Sequence, residues 1–238
     1  MIAVKTYPTI SSRYKELVCS AGVREDGSLV WIYPLPFGRS PYSEQFKKFQ
    51  WVELEMKKIE HDFRKESFRP AGRVVAKGFV PAKDNWGARK KLLLGKVYNN
   101  LDTLLAEAKD KDVQRRTSLA VFRPTQILGF TYRRCEREWG NDRVSALRQG
   151  NLFEEHDGKY EVIKKLPYQF SYRFSDCRGR KSKLMIQDWE LGHYFWQVLE
   201  KSGGDERRAC EAVKHHYFDK LTTENDLYFV LGTMLEFQ

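Results

Sequence analysis

The chain has 238 residues, enough for one large domain or two small ones, and with 41% hydrophobic and 14% aromatic residues it is not a disordered polypeptide. Its 42 Lys and Arg against 32 Asp and Glu give a formal charge of +10 and a pI of 9.3, a balance that favours an anionic partner, nucleic acid first. The N-terminus lacks the apolar run of a signal peptide, and no stretch approaches the roughly 20 apolar residues that span a bilayer. The four cysteines, Cys19, Cys135, Cys177 and Cys210, form no C-x-x-C pair. That argues against a zinc ribbon or a disulfide scaffold, so a cytoplasmic protein with no membrane partner is expected.

In chain order, residues 1–37 read as β structure. Glu16–Val23 suits a buried strand, Asp26-Gly27 a hairpin turn and Leu29–Tyr33 the returning strand. Pro34 and Pro36 are expected to end the pairing, since neither can donate to a ladder. Pro41–Phe49 reads as a short helix or turn, and the alternation of Trp51–Met56 predicts a strand with its acids on one face. A strand candidate at Arg73–Ala76 precedes a helix opening at Asn85-Trp86 and ending near Leu94. A second helix follows Asn99-Asn100, with Leu101, Leu104, Leu105 and Ala108 at helical spacing.

Ser118–Phe122 and Gln126–Tyr132 read as strands around the Arg123-Pro124 break. Residues 133–160 are charged and Gly-punctuated, as expected of a linker or long basic surface loop. A hairpin over 168–187 turns at Asp-Cys-Arg-Gly. Asp188 is placed to cap a helix over Trp189–Lys201, which Gly203-Gly204 stops. Asp205 is placed to cap another that buries Ala209, Ala212, Val213 and Tyr217, and a terminal strand runs from Leu227 towards Phe237.

The expected fold is α+β: a β-rich N-terminal half, then a C-terminal β-hairpin followed by two helices and a terminal strand. Domain boundaries are expected at 1–132, 133–160 and 161–238, with the first and last sharing one core or abutting. Neither G-x-G-x-x-G nor G-x-x-x-x-G-K-[ST] occurs, so no nucleotide-binding fold is indicated.

Period-two alternation puts Tyr168, Phe170, Tyr172 and Phe174 on one side of the first hairpin strand and Gln169, Ser171 and Arg173 on the other. Four aligned aromatics are costly to leave in water, so the row is expected to form core. The hairpin cations are then left outside. Arg178, Arg180, Lys181 and Lys183 are the leading candidates to grip phosphates, joined by Arg173 and by Arg133 and Arg134, two of eight arginines between 115 and 148.

Three other patterns compete. Asp188 and Glu190 could bind Mg²⁺ as hard oxygen ligands, although helix capping explains both more simply. Asp26 followed by Glu55-Met56-Lys57 fits the acid then Glu-x-Lys spacing of restriction-type nucleases, in which carboxylates hold Mg²⁺ and the lysine steadies the attacking water. Glu-x-Lys is also common by chance in so charged a chain. His215-His216 point about 100° apart on a helix and suit no shared metal, and His193 with Glu190 is an unduplicated half-site. The leading expectation is a protein that binds DNA or RNA through its phosphate backbone. A Mg²⁺-dependent nuclease and an adaptor with a protein partner are the alternatives.

Overall fold

The computed structural model describes residues 1–11, 15–35, 46–60, 62–141 and 163–233. Residues 36–45, most of the 133–160 segment and the continuation of the last strand to Phe237 lie outside the described residues. The architecture is α+β. Strands β1 (Ile2–Lys5), β2 (Thr9–Ser11), β3 (Lys15–Val23), β4 (Leu29–Leu35), β5 (Gln50–Glu53), β6 (Met56–Lys58), β7 (Ser67–Pro70) and β8 (Val75–Phe79) come first. They build a sheet ordered β1-β3-β4-β7-β6, with β2 on β3, and a separate β5–β8 ribbon.

Helix α1 (Lys83–Leu93), β9 (Val97–Tyr98), α2 (Leu101–Ala108), β10 (Leu119–Phe122), β11 (Gln126–Arg134), β12 (Tyr168–Ser175) and β13 (Lys181–Met185) follow. Helices α3 (Trp189–Lys201) and α4 (Glu206–Lys214) lead through a π-helical stretch to β14 (Phe229–Gly232). These strands form two further sheets, β14-β10-β9 and β11-β12-β13. No helix among the described residues is long and apolar enough to cross a membrane.

Local signals account for much of this. The Asp26-Gly27 turn closes β3 on β4, with Gly27 at φ +82°. Asn100 caps α2 by accepting from the amides of Asp102 and Thr103, and Asp205 caps α4 by accepting from Arg208 N. Two expectations need correction. Pairing does not stop before Pro34: β4 carries one extra residue between the Ser20↔Ile32 and Val18↔Leu35 pairs, and this bulge absorbs the missing donor. Trp51–Met56 is not one strand. Val52, Leu54 and Met56 do pack on the N-terminal core, but β5 pairs with β8 and β6 with β7, so the run passes from one sheet to the other.

The larger core gathers Phe122, Phe170, Phe174, Leu191, Phe195 and Val213, and the N-terminal one Ile2, Val18, Val30, Ile32 and Leu35. The two are joined where rings of the N-terminal region, Tyr7 between β1 and β2 and Trp31 of β4, meet glycines. A Cβ on Gly192 would fall 2.1 Å from the Tyr7 ring, and one on Gly232 would fall 2.0 Å from the Trp31 ring. Tyr7 is anchored there: its hydroxyl donates to Lys164 O (2.7 Å) and accepts from Trp196 Nε1 (2.8 Å). Beside Trp31, the buried Arg64 guanidinium binds Asp62 (2.7 Å) and reaches Thr233 O (2.7 Å).

On helix propensity alone, Gly192→Ala would stabilise the protein by about 1 kcal/mol. The close approach of Tyr7 predicts the reverse, a loss of about 1–3 kcal/mol for Gly192→Ala and for Gly232→Ala, as at other overpacked sites. Urea unfolding checks this. An unchanged or raised midpoint would mean that the rings are not held against the glycines.

Candidate nucleic-acid interface

The site is set by which way β12 faces. Phe170, Tyr172 and Phe174 are buried, with Phe170 packing on Phe195 of α3 at 6.0 Å between ring centroids. Alternation then turns Gln169, Ser171, Arg173 and Ser175 to the opposite face. Strand register extends that face across the sheet in four rows: Arg133 beside Gln169, Thr131 beside Ser171 and Met185, Gly129 beside Arg173 and Lys183, and Gln126 beside Ser175 and Lys181. A bulge between Ile127 and Gly129 keeps β11 in phase, so Phe130 and Ile127 still point inward with the aromatic row.

No acid occurs among these outward residues. Arg133, Arg173, Lys181, Lys183 and Met185 are exposed, while Ser171 at the centre is buried. Arg173 stands directly opposite Lys183, and Lys181 follows two residues on, about 7 Å along the strand. None of these three has an ion-pair partner among the described residues. Arg133 donates to Gln169 Oε1 (3.1 Å), whose amide in turn reaches diagonally to Met185 Sδ (2.7 Å) in the next row. Four of the seven predicted cations therefore share one sheet face.

The turn supplies a fifth. Arg178 is exposed and unpaired among the described residues, whereas Arg180 pairs with Asp102 in the first turn of α2. Arg134 alternates to the other side, beside Tyr168. Asp176 fastens the turn. It is 1% exposed, and its carboxylate accepts from Arg178 N (2.9 Å), Arg180 N (2.9 Å) and, across 75 residues of sequence, Leu101 N (3.0 Å). Burial alone would raise its pKa. The three amides and the Arg180 charge outweigh that and hold it below the ordinary 3.8.

The competing acids are placed differently. Asp188 caps α3 through Glu190 N (2.8 Å) and Leu191 N (3.2 Å), and both Asp188 (2.6 Å) and Glu190 (2.8 Å) bind Lys48. An ammonium group thus sits between the two carboxylates where a Mg²⁺ ligand pair would need room. Asp26 accepts from Ser28 N (2.8 Å) in its exposed turn. Glu55 lies between β5 and β6, and Lys57 pairs with Arg69 of β7. Two strand spacings and several residues of strand, on the order of 20 Å, separate Asp26 from Lys57, so the three are not brought together. Among the described residues no group of three His, Cys, Asp or Glu is arranged to hold a metal ion.

Residues 98–238 match the family model described as Domain of unknown function (DUF8757). The chain belongs to that family. Residues 1–95 match a second model, Domain of unknown function (DUF8758), and no curated protein or solved structure matches the chain. The DUF8757 region carries the whole basic face, with the hairpin turn and the α2 terminus it is tied to. Lys48, the partner of both acids, comes from the DUF8758 match. Neither Lys48 nor the reach of Asp176 to Leu101 was readable from local spacing, because each depends on a contact distant in sequence.

Asp176→Ala should strand three amides and cost about 2–3 kcal/mol at neutral pH, with Asp176→Asn costing less because one acceptor oxygen remains. The folded pKa is depressed, so this stabilisation is complete above the unfolded value of 3.8 and is lost as pH falls through the folded one. Urea unfolding at pH 7 and pH 3 checks both points. A difference between wild type and Asp176→Ala that stayed constant with pH would contradict the assignment.

Proposed function

We propose that this protein binds nucleic acid by its phosphate backbone, through the open face of the β11-β12-β13 sheet. The observation that carries this is the acid-free cluster of Arg173, Lys181, Lys183 and Arg133 on one polar face. Arginine offers a planar fork to phosphate oxygens and lysine a point charge. Gln169, Thr131 and Ser175 stand among them as neutral donors of the kind that contact phosphate and sugar. The aromatic side chains of these strands point into the core, so this face offers cations and hydrogen bonds and no ring for a base to stack on. Binding through it is therefore largely independent of sequence. Arg178 extends the face at the hairpin tip, while Arg180 is partly neutralised by Asp102.

Backbone binding releases condensed counterions, and log K falls with log salt by about 0.7 per neutralised phosphate on single strands and about 0.9 on duplex. Replacing Arg173, Lys181 and Lys183 together with alanine should weaken binding equally across unrelated sequences and reduce that slope by about 2–3. Fluorescence anisotropy of labelled oligonucleotides at a series of salt concentrations measures both. An unchanged slope in a folded triple variant would refute the assignment of this face.

A further inference from the structure

All the non-glycine residues with left-handed φ among those described meet at one place. Phe49 (φ 61°), Asp84 (φ 53°), Asn85 (φ 51°) and Trp86 (φ 65°) lie where α1 begins against the turn before β5. Asp and Asn tolerate this conformation, but for large aromatic residues it is a true outlier. The two strained rings face each other edge to face, with centroids 4.9 Å apart. The Arg89 guanidinium lies 4.0 Å from the Phe49 ring and 4.5 Å from the Trp86 ring, and its Nε donates to Val80 O (2.9 Å). Leu92 and Leu93 at the far end of α1 and the Phe49 ring pack partly buried against Met1, Val23 and Val80, whereas Trp86 itself stays 44% exposed. Strained backbone clusters at sites that hold a ligand, and here it carries an exposed ring.

The surroundings are cationic. From Lys83 to Leu93 there are Lys83, Arg89, Lys90 and Lys91 against the single acid Asp84. This cluster is also continuous with the sheet face. Lys90 and Arg123 each lie 3.6 Å from Asp226, which bridges them. Arg123, Asp226 and Gln126 line one polar cleft, and Gln126 pairs with Ser175 on the basic face.

We propose that Trp86, propped by Arg89 and Phe49, is a stacking platform for an unpaired base of a single-stranded nucleic acid. The backbone of that strand then runs past Lys90 and Arg123 onto the β11-β12-β13 face. The proposal rests on the backbone-binding role of that face and names its substrate class. Every base has a π face, so stacking on Trp86 is tolerant of sequence. Duplex bases are already stacked and do not engage it.

The test compares the full chain and Trp86→Ala, by anisotropy over a range of salt, on labelled single-stranded DNA and RNA of mixed sequence and on the corresponding duplexes. Trp86→Ala should weaken single-strand binding about 5- to 100-fold with no change in salt slope and leave duplex binding as it was. Trp86→Phe should recover part of the loss. Trp86→Gly, which accepts the left-handed φ without strain, serves as the deletion if the alanine variant folds poorly. Unchanged single-strand affinity, or equal losses on single strand and duplex, would overturn the platform while leaving the sheet face standing. Absence of salt-dependent binding to either form would overturn both.

Discussion

Burial of Phe170, Tyr172 and Phe174 against the α3 side of the core is the constraint from which the site follows. Side chains alternate along a strand, so a slip of one residue would expose all three rings and bury Arg173. Each buried ring contributes about 2–3 kcal/mol, whereas placing Arg173 opposite Lys183 costs less than about 1 kcal/mol. The core term wins by a wide margin. The sheet can therefore display an unfavourable like-charge row on a rigid base, and the basic face is a consequence of how the aromatic face packs.

The hairpin that carries this row is tied down by charge as well as by packing. Asp176 converts one carboxylate into three backbone hydrogen bonds, joining the turn to the start of α2. At the opposite end, the N-terminal strands are locked to the DUF8757 region by Tyr7 over Gly192 and Trp31 over Gly232. The buried Asp62–Arg64 pair adds direction to that junction, since its guanidinium also meets Tyr33 Oη (3.1 Å) and Thr233 O. Buried ion pairs are seldom strong net stabilisers, but they penalise any packing that leaves one member alone. The junction thus fixes α1, with its exposed Trp86, in relation to the sheet face that the same chain builds later, between Gln126 and Met185.

What could be read from the sequence were the features encoded locally. The 168–187 hairpin, the α3 helix with its Asp188 cap and the α4 helix with its Asp205 cap all rest on period and cap chemistry within a few residues. The split of the aromatic row from the polar row was legible for the same reason. What escaped were partners chosen by the tertiary fold. Pro34 sits in a bulge whose form depends on β3, Trp51–Met56 divides between two sheets, and Lys48 meets Asp188 from 140 residues away. The joining of Arg133 to Arg173 and Lys183 likewise required the β11–β12 register, which no local pattern states. The left-handed run at Asp84-Asn85-Trp86 read as an ordinary helix start, because the Phe49 ring that Trp86 meets is brought there by the tertiary fold.

Lysine footprinting separates the basic sheet face from the rest of the surface. Amine-reactive labelling of the full chain, with and without a saturating single-stranded oligonucleotide, reads each lysine separately by mass spectrometry. Strong protection of Lys181 and Lys183 is expected, with Lys57 on β6, in a different sheet, labelled equally in both samples. Protection of Lys57 with Lys181 and Lys183 left fully reactive would contradict the assignment of that face.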